Sequence, residues 1–265
     1  SLELDPASAE AWNELGAAHT NWAAAKHLRG EPAGEVFAQA VEAYGRALAI
    51  NPAHPGAWMG RGSAHLDWGI DLRDDAQRAE SEYAAALADL GKALELNPNL
   101  ARARNSRGTV QVNLGLLHER QGQDPADAYR AAIEEFTRAL ELNPEDADSH
   151  KGRGLARLYW ILWSEERGAI RVELYEATIR DFDETLRVNP NQEEIRRSRD
   201  RMREAWDGMK GSIGLRLLEQ ALARSADDRE NARRDYEAGL PLVDAEGASD
   251  AERATLRDAH YNFAC

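Results

Sequence analysis

The chain has 265 residues, with 33 Lys and Arg against 47 Asp and Glu, a formal net charge of −14 and a single Cys at its last position. This balance excludes a duplex nucleic-acid binder, which must neutralise phosphates, and the lone thiol excludes an internal disulfide framework or a cysteine-built zinc site. The longest nearly apolar stretch, Leu155 to Trp163, carries Arg157 and is far short of the roughly 20 residues that span a bilayer.

No charged-then-apolar leader opens the sequence, so a cytoplasmic protein without a membrane partner is expected. The start at Ser1 rather than Met reads as a piece of a longer parent.

Punctuation along the chain is periodic. Asp5-Pro6, Asn51-Pro52, Asn97-Pro98, Asn143-Pro144 and Asn189-Pro190 place their prolines 46 residues apart each time. Each Pro is followed ten residues later by Gly16, Gly62, Gly108 or Gly154 in the first four units. A residue before Pro leaves helical geometry and Pro itself suits the first helical position, so each pair predicts a helix stop followed by a helix start.

Each unit therefore divides into helix A, running about five turns from just after the Pro, and helix B, ending at the next Asn. Breaker-rich stretches separate them: Arg29 to Gly34, Asp71 to Ala76 and Gly122 to Pro125. No sustained two-residue alternation and no Asn-Gly turn signals a strand. The units are approximately 6–51, 52–97, 98–143 and 144–189, then an irregular unit over 190–244. In that last unit Ile195, Met202, Trp206, Met209, Ile213 and Leu217 prolong helix A, and Ser225 to Asp228 form a capping box for helix B. A lone terminal helix is predicted over 250–265.

These residues resemble the tetratricopeptide repeat family. The match is carried by Trp12 or Trp58, the small Gly16 or Gly62, Ala40/Ala86/Ala132, aromatic Tyr44/Phe136/Phe182, Ala47/Ala93/Ala139 and the closing Pro. The usual unit of that family has about 34 residues, so each repeat here carries an insertion of roughly 12. The resemblance implies an all-α fold: one right-handed superhelical solenoid of antiparallel helix pairs over 1–265. Within the added length Trp22, Trp68, Leu114, Trp160 and Trp206 recur at 46, as do Phe37, Tyr83, Tyr129 and Tyr175. An aromatic set in step with the helices is core, and each Trp is expected against the aromatic of its own helix B.

A second ladder is charged. Arg61, Arg107, Arg153 and Arg199 stand one residue before the small position, and Asp89, Glu135, Asp181 and Asp235 stand on the B helices. In the first unit both are lost together, as Leu15 and Ala43. Loss of both at once is what a structural ion pair between A and B requires, because a buried charge is costly without its partner.

Catalytic patterns are absent or misplaced. Asp181, Asp183 and Thr185 match a DxDxT phosphotransferase pattern but lie inside helix B. The glycine pairs Gly60/Gly62 and Gly152/Gly154 lack a preceding strand, and His19 and His65 lack ligand spacing. No enzyme activity, metal or cofactor is expected.

The resemblance assigns binding to the concave face of the A helices. There it places Asn13, Asn21, Asn105, Asn113, Lys151, Tyr159, Arg197 and Arg201 as groove candidates. Asn side chains both donate and accept, which suits an extended peptide backbone, and the cations suit a carboxylate or acidic segment. Some members clamp a C-terminal carboxylate through a Lys-x-x-x-Asn pattern, but Lys151 is followed by Leu155 at that step.

Charge is uneven: residues 1–150 hold 24 acids and 13 bases, and residues 151–265 hold 23 and 20. The expected function is a non-catalytic protein-interaction scaffold that binds a protein or peptide. The alternatives are a docking segment of a larger signalling protein such as a bacterial Ser/Thr kinase, or a self-associating homo-oligomer.

Overall fold

The computed structural model describes residues 7–72, 74–169, 171–223, 229–243, 249, 252, 254–256, 258 and 259. Among these there are helices and turns but no strand. Ten α-helices follow one another along the described residues: α1 Ala9–Leu28, α2 Gly34–Ile50, α3 Pro55–Asp71, α4 Ala76–Leu96, α5 Ala101–Arg120, α6 Ala126–Leu142, α7 Ala147–Glu165, α8 Val172–Val188, α9 Glu193–Ala223 and α10 Arg229–Gly239. The capping box expected at Ser225 to Asp228 lies outside the described residues. So does most of the helix expected over 250–265, of which residues 252, 254–256, 258 and 259 are helical.

The odd-numbered A helices and even-numbered B helices pack differently. Each B helix from α2 to α8 touches its own A helix and the A helix that follows, and α10 touches α9. The A helices α1, α3, α5 and α7 also touch one another in sequence, whereas the B helices make no comparable contact among the described residues. The ribbon therefore curves toward the A layer, the geometry of a tetratricopeptide-like solenoid.

Sequence pattern explains this division. In α2 the buried residues Val36, Phe37, Ala40, Ala43, Tyr44, Ala47 and Leu48 form one stripe at three- and four-residue spacing, the signature of a helix covered on one side. In α5 buried Ala103, Gly108, Val110, Val112, Gly115 and Leu117 spread around the helix, because neighbours press on it from several directions.

The Asn-Pro pairs work as turns rather than as helix starts. Asn51, Asn97, Asn143 and Asn189 each follow the last residue of a B helix with extended backbone, as a residue before Pro must. The side-chain oxygens of Asn51 and Asn97 accept the backbone N–H two residues on, from Ala53 and Asn99, at 3.1 Å. Helices α1, α3, α5 and α7 begin three residues after the Asp-Pro or Asn-Pro prolines, and Ser8, His54 and Asp146 cap three of them through their side chains. This corrects the expectation that each repeat Pro opens the helix.

Two further devices shape the turns. Gly30, Gly122 and Gly168 sit at positive φ just beyond α1, α5 and α7, where the chain reverses and only glycine adopts that geometry without cost. The sixth residue after each repeat Pro donates back to that proline's carbonyl: Trp58 to Pro52 at 2.8 Å, Arg104 to Pro98 at 3.4 Å and His150 to Pro144 at 2.9 Å, with Arg196 doing the same to Pro190.

The aromatic stripe is core except at Trp22, whose exposure corrects the expectation there, and its pairing crosses units. Trp68 of α3 stacks on Phe37 of α2, with centroids 6.4 Å apart, and Trp206 of α9 stacks on Tyr175 of α8 at 5.3 Å. For Trp68 and Trp206 the expected packing on their own helix B is thus replaced by packing on the preceding B helix. The aromatic of the same unit lies over the next A-helix residue instead, as Tyr83 does over Gly69 and Tyr129 over Gly115.

Candidate protein-interaction face

The A-to-B ion pairs are built differently in each unit. Arg61 grips Asp89 with two hydrogen bonds of 2.6 and 2.8 Å. Glu135 meets Arg107 at 3.3 Å and Arg104 at 3.5 Å, yet Arg107 Nε and Glu135 Oε2 have no hydrogen bond. Asp181 is the most heavily used: Arg153 holds it at 2.7 Å, Arg157 donates to it, and His150 lies 3.5 Å away. Burial beside these groups lowers the pKa of Arg157.

Arg199 departs from the ladder. Its partners are Asp183 at 3.1 Å and Asp200 at 2.7 Å, not the expected Asp235. The reason is α9, whose 31 residues put α10 further along the chain than the other B helices. Asp200 also stands where the earlier units have Gly62, Gly108 and Gly154.

The groove candidates divide into those occupied by the scaffold and those open to a ligand. The Asn105 amide donates across the α5–α7 seam to Ser149 Oγ at 2.9 Å. Asn113 donates to Thr109 O at 2.9 Å, and Asn13 reaches Glu10 at 3.5 Å. Asn21 is exposed. Lys151 is paired with Asp148 at 2.8 Å and Arg197 with Glu193 at 3.2 Å. Arg201 is exposed and donates to Arg197 O at 3.4 Å, with no carboxylate partner among the described residues.

Three of these candidates come together on one seam. Lys151 and Tyr159 line a cleft of 640 Å³ between α7 and the start of α9, with Leu155, Leu158, Ile195 and Ser198. Arg201 borders a second, more apolar cavity of 270 Å³ made by Leu158, Ile161, Leu162, Tyr175, Met202 and Ala205. The two share Leu158 and Ser198, so they form one trough. Asn13 and Asn21 belong to α1, far along the array from it.

Ile161 and Leu162 are not among the groove residues expected from the sequence. Their signal is the apolar run Leu158 to Trp163, which is richer than any one face of a helix needs.

At the trough's edge Glu165 accepts from the Tyr175 hydroxyl, and burial raises its pKa. Earlier on the A face, burial pushes Asp67 up to about 6, against the lowering effect of nearby His27. Among the described residues no group of three or more His, Cys, Asp or Glu could hold a metal ion, and no helix is long and apolar enough to cross a membrane.

Neither a family model nor a curated protein matches the chain. Solved structures do resemble it. A crystal structure of MamA protein shares 19% identity at a TM-score of 0.41, over 86% of this chain and 92% of that one. The Pseudomonas aeruginosa pilF structure shares 18% at 0.41, over 95% and 91%. YrrB, described as a TPR protein with an unusual peptide-binding site, shares 18% at 0.34, over 69% and 90%.

Proposed function

We propose that the chain is a protein-interaction scaffold that holds a peptide segment on the face of its A helices. The observation that carries this reading is the α7–α9 trough, where an apolar floor is rimmed by polar side chains that can fix a ligand's orientation. A docking segment of a larger signalling protein would act through the same face.

Affinity capture with three forms tests it: the wild type, an A-face variant (Tyr159→Ala with Arg201→Glu) and an outer-face variant (Arg138→Glu). Partners kept by the outer-face variant and lost by the A-face variant support the reading. Equal retention by both variants counts against it.

One observation favours self-association as a second reading. Trp22 is 51% exposed, while its counterparts Trp160 and Trp206 are 8% and 4% exposed beneath their neighbours. A second copy covering Trp22 predicts a dimer or larger species that Trp22→Glu dissolves in light scattering. A wild-type monomer at all concentrations removes this reading.

A further inference from the structure

The contacts along the A layer are not uniform. Successive A helices pack together from α1 to α7, but α7 and α9 do not approach in the same way, and the trough opens at that seam. Its inner cavity of 270 Å³ is floored by Leu158, Ile161, Tyr175 and Met202, and Leu162 at its edge is 47% exposed. At about 30 Å³ per water this is the space of roughly nine waters, enough for one or two large apolar side chains but too small for a whole helix face.

Charge at the rim is specific. The lining cation Lys151 spends its charge on Asp148; of the lining acids, Glu193 is paired with Arg196 and Arg197, Glu165 is engaged by Tyr175, and Glu194 has no ion pair among the described residues. Arg201 alone among the lining cations lacks a carboxylate among the described residues. Seating an apolar ligand beside it removes water from the guanidinium, and a carboxylate on the ligand is the partner that compensates that loss best.

Resting on the A-face reading above, we infer that the α7–α9 trough takes a short peptide segment with one or two bulky apolar residues next to an Asp, a Glu or a C-terminal carboxylate. The apolar side chains fill the cavity under Leu162, and the carboxylate meets Arg201. The polar end, with Gln192, Glu194 and Lys151, faces the continuing backbone.

The test is selection from a random 12-residue peptide library with the full chain as bait, followed by fluorescence-polarisation titration of the enriched peptides. Expected peptides pair Leu, Ile, Met or Phe with an adjacent acid. Their affinity should fall about tenfold or more in Arg201→Glu and in Leu162→Asn, both exposed changes that leave the fold intact. It should hold in Arg180→Glu, an exposed cation on α8, and weaken as salt rises.

Enriched peptides that are basic, or that resist the trough changes yet are lost in Asn21→Ala with Asn113→Ala, overturn this seat and leave the A-face reading standing. Peptides insensitive to every A-face change, or no saturable binder at all, overturn both.

Discussion

Trp206 of α9 lies stacked on Tyr175 of α8, ring centroids 5.3 Å apart and planes 24° from parallel. The contact joins two successive repeats, so the Trp stripe is mortar between units rather than filling within a hairpin. Burying such a ring removes a large apolar area, and truncating it to Ala costs about 3–5 kcal/mol in a packed core. Trp206→Ala should therefore uncouple α9 and α10 from the first four units, giving two thermal transitions by circular dichroism in place of one. Trp22→Ala, at the same step but exposed, should cost about 1 kcal/mol or less. Equal losses at the two positions contradict the assignment across units.

The ion pairs offer a graded comparison. Asp89 is buried and doubly hydrogen-bonded to Arg61, whereas Glu135 carries an extra methylene and leaves an oxygen without a hydrogen bond. Removing one partner of a buried pair costs about 3–5 kcal/mol, because a desolvated charge is left behind. Arg61→Leu or Asp89→Ala alone should lower stability strongly, and the two together less than their sum. The first unit already uses that solution with Leu15 and Ala43. The coupling from a double-mutant cycle by urea unfolding should be larger for Arg61–Asp89 than for Arg107–Glu135. The reverse order, or simple additivity at Arg61–Asp89, overturns this account.

A feature is legible in this sequence where a repeat step keeps its residue type. Small Gly108, aromatic Phe136 and the Arg–acid ladder recur as letters, so the hairpins and Arg61–Asp89 can be read from spacing alone. The bond back to the proline carbonyl does not show, because Trp58, Arg104, His150 and Arg196 share only a long side chain with an N–H. Spacing also leaves the partner of Trp206 open, because a period of 46 is the same whether the contact lies within a unit or between units. The trough is hidden for a related reason: it arises where α9 breaks the repeat, at Asp200 in place of Gly, and a break carries no periodic signal.

Phe136 is held between glycines of two different helices. A Cβ on Gly108 of α5 would come within 2.9 Å of the ring, and one on Gly152 of α7 within 2.4 Å. Phe136 is 1% exposed and cannot swing aside without displacing its neighbours. Gly152→Val should thus push α7 off α6 and cost about 1–3 kcal/mol, overriding the usual gain from replacing glycine in a helix. Gly91→Ala on α4, where a Cβ meets nothing within 4 Å, should instead stabilise by about 0.5–1 kcal/mol. Urea midpoints moving the same way for both substitutions contradict the clamp.

Asp67 gives the A face a pH dependence of definite sign. Burial is the main cause that raises its carboxyl from 3.8 to about 6, with His27 pulling the other way. Between those values the folded chain binds more protons than the unfolded one, so this group's contribution to stability falls as pH rises from about 4 to about 6 and is constant above. At about 1.4 kcal/mol for each pH unit in that window, the full effect is up to about 3 kcal/mol. The comparison must be with a variant that lacks only this ionisation. Asn occupies the same step in α1 and α5, as Asn21 and Asn113, so Asp67→Asn suits the site. The variant should match the wild type near pH 4 and exceed it increasingly toward pH 7, read as the difference in melting temperature. A difference that stays constant from about pH 4 to about pH 8 means that Asp67 ionises as freely in the folded chain as in the unfolded one.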